Sequence, residues 1–247
     1  KPEARHYRRR ASRIKPPPTR DSTKVACEIA APPGVAWRLG EGAMKEVEFW
    51  YDFASTYSYL SAMRIEEMAA EAGVRAVWRP FLLGPIFSAP GWSTSPFNVY
   101  PAKGRYMSRD IARIARARRL PFVMPDVFPA HSLMAARMAI GGAICGQTDD
   151  WTRRFSKAVF AAEFGEGANI ADPALLKRLA SGIAGNETAT AIFQRIGETE
   201  IKDLLRQQTE RAMALGIFGA PSFVTDDGEL FWGDDRLSDA LIWAHQL

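Results

Sequence analysis

Cysteine is scarce in this chain of 247 residues. There are two, Cys27 and Cys145, and no Cys-x-x-Cys pair. That count speaks against a disulfide-stapled scaffold, a cysteine-rich zinc site and a dithiol redox centre. Histidine is as sparse: His6, His131 and His245 are scattered, which argues against a His-rich metal centre. No run of about eighteen apolar residues occurs, so no segment reads as a membrane-spanning helix. The formal net charge of +4 misleads, because 10 of the 32 Lys+Arg and 4 of the 28 Asp+Glu lie in residues 1–43. That segment therefore carries +6 and the remainder −2. A nearly neutral body offers no nucleic-acid surface.

What is present is ordinary globular composition, 47% hydrophobic and 24% charged. The length suffices for one sizeable core, or a core with an insert. Residues 1–43 contain HYRRRASRIKPPPTR and APPGVAW, rich in Pro and Arg and without sustained apolar periodicity, and are expected to be disordered. Met44 reads as a natural start, with 1–43 an upstream translated or artificial extension. An Arg-rich transit peptide and a nucleic-acid-binding arm are the competing readings of 1–43.

A strand pattern begins at once after Met44. Val47–Phe53 alternates and is aromatic-rich. Tyr57–Ala72 has helical apolar spacing and ends at Gly73, and Val74–Trp78 reads as a second strand, parallel to the first through a right-handed crossover. Residues 82–105, with LLGPIFSAPGWSTSPFN, read as a long loop of the kind that carries function. Helical stretches follow at about 104–119, 131–145, 150–164, 173–184, 186–195 and 198–215. Asp172-Pro173 is a helix start, and Gly216 a helix stop. Ser222–Thr225 and Leu230–Trp232 are short strands joined by Asp226-Asp227-Gly228, a hairpin signal. Leu237–His245 is a closing helix. The expected class is α/β: a thioredoxin-like core of order βαβ…αββα with a large all-helical insert. The core takes residues 44–81 and 200–247, the insert residues 82–199.

Three short motifs carry chemistry. The first is the strand-to-helix elbow at VEFWYDFASTYSYL, where Ser55-Thr56-Tyr57-Ser58 occupies the place at which redox proteins of this fold carry their cysteine pair. A group at a helix start meets unpaired N–H donors and the positive end of the dipole. A serine hydroxyl there stays protonated, but it can donate a hydrogen bond to an anion brought in by a ligand. Ser55 can equally be a plain N-cap. The second motif is Gly219-Ala220-Pro221-Ser222-Phe223. A cis Pro221 would expose the Ala220 backbone to an extended peptide; a trans Pro221 would simply open an edge strand, and the sequence leaves both open. The third is Trp232-Gly233-Asp234-Asp235-Arg236-Leu237, where backbone N–H groups can take a carboxylate and the Asp residues an ammonium, or the acids can serve only as caps.

In this order the motifs resemble those of 2-hydroxychromene-2-carboxylate isomerases and their relatives, the kappa-class glutathione transferases. The resemblance covers 44–247. It rests on Tyr51-Asp52-Phe53-Ala54-Ser55-x-Tyr57-Ser58-Tyr59-Leu60, Arg79-Pro80-Phe81, Lys103-x-x-Tyr106-x-x-x-Asp110 and Phe164-Gly165-Glu166-Gly167-x-x-Ile170-x-Asp172-Pro173. It continues through Gly216-Ile217-Phe218-Gly219-Ala220-Pro221-Ser222-Phe223 and Phe231-Trp232-Gly233-x-Asp235-Arg236-Leu237. The resemblance implies a glutathione site in which Ser55 is the catalytic serine holding the sulfur as thiolate. It implies that Ala220, beside Pro221, pairs with the cysteinyl part, and that Trp232, Gly233, Asp234 and Asp235 take the γ-glutamyl end. Asn98, Lys103, Tyr106 and His131 fall where the family lines its pocket for a small aromatic carboxylate. Thr56 stands where the family has proline, and His131 where it has asparagine.

The implied activity is glutathione-dependent isomerisation in cytoplasmic aromatic catabolism, with no metal and with a homodimer as the assembly. Other readings are a kappa-like transferase or peroxidase that consumes glutathione, a dithiol oxidoreductase, which the missing Cys-x-x-Cys opposes, and a glutathione-binding module without turnover. Cys145 is expected to be buried packing. The run Arg113–Arg119 is expected to be a solvated helix face.

Overall fold

The computed structural model describes residues 44–88, 91, 95–145 and 149–247. The expectations for residues 1–43, Cys27 among them, and for 89, 90 and 92–94 of the Pro/Gly-rich stretch lie outside the described residues.

The first strand, β1 (Lys45–Tyr51), is the middle of the molecule. Its side chains alternate in burial toward two different sets of neighbours. Val47, Phe49 and Tyr51 enter one apolar cluster, and Trp50 enters another with Phe81, Ile86, Ala212, Ile217 and Val224. Both faces of the sheet are thus covered at β1, as is usual for a parallel pair joined by a helical crossover. Strand β2 (Val74–Pro80) lies parallel to β1 from Lys45↔Val74 to Tyr51↔Pro80. On the other edge β3 (Ser222–Thr225) runs antiparallel to β1, and β4 (Leu230–Trp232) antiparallel to β3. The order is β2-β1-β3-β4. The parallel pair and the 226–228 hairpin are as read from the sequence.

The crossover is two helices, α1 (Thr56–Ala62) and α2 (Ile65–Glu71), where the apolar period reads as one. The break falls at Met63-Arg64. There Arg64 leaves helical geometry, and its guanidinium binds Asp234, 170 residues away. A long-range ion pair at that point overrides local propensity. The stretch read as a loop at 82–105 also folds locally, into α3 (Leu83–Ser88), α4 (Pro96–Val99) and the first turn of α5 (Pro101–Ala117). Ser95 caps α4 and Pro96 and Pro101 sit in first turns, the one place a helix accepts proline without loss.

The rest of the helical block is α6 (Leu133–Ile144), α7 (Asp149–Phe160) with a π-helical turn at Ala161–Gly165, α8 (Pro173–Ala184), α9 (Asn186–Arg195) and α10 (Thr199–Ala214). Asp172 caps α8 through the Ala174 N–H at 2.9 Å, and Gly216 follows α10 at φ 77°. A 3₁₀ turn (Asp234–Arg236) leads into α11 (Leu237–Gln246). The cluster on the Phe49 face continues without a break from the strands into Phe155, Phe160 and Leu176 of the insert. The Tyr51 and Ser156 hydroxyls, 2.6 Å apart, join sheet to α7. Among the described residues no helix is long and apolar enough to cross a membrane.

The contact of α6 with α7 depends on Gly142. A Cβ there would fall 2.0 Å from Cδ1 of Trp151, a buried, rigid ring. Alanine is the better helix former by up to about 1 kcal/mol. Even so, Gly142→Ala is expected to lower stability by about 1–3 kcal/mol, because the ring must leave its rotamer or the helices must part. Urea unfolding followed by tryptophan fluorescence reads this directly.

Candidate functional site

Strand β1 ends at Tyr51, and the next residues turn the chain into α1. The Asp52 carboxylate makes the turn: Oδ1 accepts from Ala54 N–H at 3.0 Å and Oδ2 from Leu83 N–H at 2.7 Å. Ser55 is the N-cap of α1, at φ −97°, ψ 112°. Its Oγ accepts from Ser58 N–H at 3.2 Å and donates to the Ala220 carbonyl at 3.0 Å. So the first two motifs, 165 residues apart, meet at one hydroxyl. The Ala220–Pro221 bond is cis, the alternative the sequence left open, and Phe128–Pro129 is cis as well.

The third motif closes on the second. Gly233 N–H donates to the Pro221 carbonyl at 3.0 Å, and Ser222 pairs with Trp232 in the ladder. The Trp232 ring, half exposed, packs tilted at 57° against Phe218 with centroids 4.8 Å apart. The two acids of this motif differ. Asp235 is exposed and pairs with Arg236 at 3.1 Å. Asp234 is buried and holds Arg64 at 3.1 Å and Arg118 at 2.7 Å, with Ser61 Oγ at 2.9 Å. Arg118 belongs to the run expected to be a solvated face. Arg113 and Arg116 are exposed, but Arg118 turns in to Asp234.

On the opposite flank of the elbow, Thr56 Oγ1 donates to Met107 Sδ at 3.3 Å, so this hydroxyl ties α1 to α5. Tyr57 Oη donates to Asp110 at 2.9 Å, and burial with that bond pushes its pKa up. Tyr106, exposed, shares Asp110 at 3.4 Å and lies under Arg113. Lys103 and Asn98 are exposed; Lys103 Nζ sits 4.9 Å from the Tyr100 ring. His131 is exposed beside Ser132, in the turn before α6, which begins at Leu133 where the expected stretch began at about 131. The structure thus joins Ser55, Ala220, Pro221, Trp232 and Gly233 directly. Among the described residues no hydrogen bond or ion pair joins Lys103, Tyr106 or His131 to them. Cys145, at the end of α6, packs against the core as expected but is only half-buried, with Arg195 4.0 Å from its sulfur.

Sequence reasoning missed Asp52 and Glu163. Glu163 lies in the π-helical turn, fully buried, and both carboxylate oxygens lack a partner among the described residues. Burial, with the Asp52 charge next, holds its pKa well above the ordinary carboxyl value. Burial also pushes Asp52 up, against the hydrogen bonds from Leu83 and Ala54. Asp52 has hydrogen-bond donors and Glu163 has none among the described residues, so of the two Glu163 keeps the proton. Nothing in the sequence around AAEFG marks that acid as buried: its neighbours give it the same spacing as any exposed helical glutamate.

Above the usual carboxyl range the unfolded chain loses the Glu163 proton and the folded chain does not. The folded state then binds more protons, and stability falls as pH rises toward the folded value. Glu163→Gln removes this dependence. The variant is expected to match the unaltered chain near pH 4. At pH 8 it should melt higher, by about 1.4 kcal/mol for each unit of the shift it removes. Thermal unfolding across pH 4–8 tests it; parallel curves would show that Glu163 is ionised in the fold.

Comparison with known proteins agrees with this geometry. The family model of the DSBA-like thioredoxin domain matches residues 46–241. A 2-hydroxychromene-2-carboxylate isomerase of Sphingobium xenophagum is 28% identical over 196 residues, 78% of this chain and 94% of that protein. Glutathione S-transferase kappa 1 of Homo sapiens is 25% identical over 202 residues, 78% of this chain and 88% of that protein. A solved structure of 2-hydroxychromene-2-carboxylate isomerase superposes with a TM-score of 0.64 at 26% identity, covering 78% of this chain and 90% of the other. The resemblance read from the sequence blocks and the α/β thioredoxin-like fold both hold. With a four-stranded sheet, a helix-capping elbow and a facing cis-proline, all within the matched span, the chain belongs to the DSBA-like thioredoxin domain family.

Proposed function

We propose that this chain is a glutathione-dependent isomerase. It interconverts 2-hydroxychromene-2-carboxylate-type hemiketal acids and trans-benzylidenepyruvates in the cytoplasmic breakdown of naphthalene-type aromatics. The observation that carries the reading is the Ser55 hydroxyl, held at the N-terminus of α1 between Ser58 N–H and the Ala220 carbonyl.

The residues fit glutathione. Ala220 N–H meets no acceptor among the described residues, so it can pair with the carbonyl of an extended cysteinyl residue. Ser55 Oγ keeps its bond from Ser58 N–H while its own proton swings from the Ala220 carbonyl to a sulfur. A hydroxyl donor at the positive end of a helix favours a thiolate over a thiol. Trp232 and Gly233 wall the γ-glutamyl side, next to Pro221. When bound there, glutathione supplies the nucleophile that adds to and leaves the conjugated carbon, so the double bond can rotate with no net redox. The chain's own contribution is positioning and electrostatic: a preorganised donor holds the sulfur charge. Lys103 takes the substrate carboxylate, Tyr106 or His131 its carbonyl or hydroxyl, and Asn98 lines the pocket. The active assembly is a homodimer.

The similarity to kappa-class transferases favours a second reading, in which the same site consumes glutathione on electrophiles. Product analysis separates the two: isomerisation returns the cofactor, transfer does not.

Ser55→Ala is expected to abolish the ultraviolet thiolate band that reduced glutathione develops with the unaltered chain near neutral pH. Turnover should fall on the order of a hundredfold, the scale for one preorganised donor. A difference titration of both proteins measures it. No band and no saturable binding with the unaltered chain would remove the mechanism and leave the fold.

A further inference from the structure

A cavity of about 550 Å³ lies between α3, α6 and α10. Neither Ser55 nor any other residue of the proposed glutathione site or aromatic pocket lines it. Its volume falls within the roughly 300–1,000 Å³ of small-molecule sites. Helix periodicity builds it. Leu205, Thr209 and Met213 stand four apart on α10 and so share one face, with Lys202, Arg206 and Glu210 in the next row. Leu133 and Arg137, four apart on α6, line it from the other side, and Leu82 closes it ahead of α3. Leu205 is buried, while Leu133 and Met213 keep 42% and 38% of their surface exposed. Large apolar side chains exposed together on one concavity mark a place that binds something.

Three cations and two acids line the same space, so its net charge is +1. Arg206 is committed to both acids, Asp203 at 3.0 Å and Glu210 at 3.4 Å. Arg137 and Lys202 remain, and among the described residues neither has a hydrogen-bonded or ionic partner. Arg137 Nε is moreover buried without an acceptor. Such a group is costly, and native structures leave few of them. The edge of a guanidinium formed by Nε and the neighbouring terminal nitrogen offers two parallel N–H donors, spaced for the two oxygens of one carboxylate. Thr209 does not compete for that role. Its Oγ1 already donates to the Leu205 carbonyl at 2.9 Å and accepts from Leu82 N–H at 3.3 Å.

We infer that this cavity is a second ligand site, for a small aliphatic carboxylic acid. Arg137 holds the carboxylate, Lys202 adds to the positive field, and Leu82, Leu133, Leu205 and Met213 cover the apolar body. The ligand carries one negative charge, since Asp203 and Glu210 would repel a second. No aromatic ring lines the walls, so nothing there favours a planar body over a flexible one. The inference is independent of the glutathione reading.

The test compares octanoate with 1-octanol, the same chain with and without the charge, by methyl NMR of the full chain. Octanoate is expected to shift the methyl signals of Leu82, Leu133, Leu205 and Met213 saturably. Arg137→Gln should weaken octanoate about tenfold, the scale of one charge-assisted hydrogen-bonded contact, and octanol less than about twofold. Lys202→Gln, at an exposed position, should weaken octanoate about threefold and leave octanol unchanged. Altered packing alone would lower both affinities together, so equal losses for the two ligands overturn the inference. It also falls if octanoate leaves these methyls unshifted, or shifts them without saturation. If Arg137→Gln does not fold, Lys202→Gln decides: an octanoate affinity equal to that of the unaltered chain overturns it.

Discussion

The Asp52 carboxylate is the interaction on which the site depends. It stands at the end of the central strand and accepts from Ala54 of the elbow and Leu83 at the opening of the insert. One buried carboxylate therefore fixes the start of α1 and the path away from β2 into α3. A buried carboxylate is tolerable when it is hydrogen-bonded, and Asp52 is satisfied by its own elbow and by the residue that opens α3. Glu163, close enough for the Asp52 charge to raise its pKa, has no such partners and stays neutral. The pair is asymmetric because the donors all went to one member.

With the elbow fixed, its chemistry follows from a single side chain. A cysteine at position 55 would be acidified by the α1 N-terminus and become a redox group. The serine keeps the same field but offers a proton instead of an electron pair. Its bond to the Ala220 carbonyl crosses from the first motif to the second. A ligand sulfur arriving there would meet a donor already oriented by Ser58 N–H. On the far side, the Asp234 cage ties the 3₁₀ turn to α1, α2 and the end of α5, so the third motif is held to the same frame.

Much of this was legible in the sequence, for definable reasons. Alternation marked β1, the Asp226-Asp227-Gly228 turn marked the β3–β4 hairpin, and Asp172-Pro173 marked α8, because each signal is local. The break at Met63-Arg64 was hidden, since nothing in the local spacing predicts that Arg64 will leave the helix for Asp234. Arg118 was hidden in the same way: RIARARR has the look of a solvated face, and only the packing of the α5 terminus against the 3₁₀ turn turns one arginine inward. The helices within 82–105 were obscured by Pro and Gly, which break helices in the interior but suit first turns.

By itself the sequence determined the class of fold, the strand pair and hairpin, the serine in place of a cysteine, and the resemblance that points to a glutathione-type site. These depend on periodicity, turn chemistry and residue identity, all carried within a few positions. The tertiary structure alone decided that Ser55 meets Ala220, that Ala220–Pro221 is cis, that Asp234 is caged while Asp235 is exposed, and that Glu163 is buried without a partner. Each of these is a pairing or a burial set by residues tens to hundreds of positions away, and no local pattern encodes which of two equivalent acids or arginines the packing will enclose.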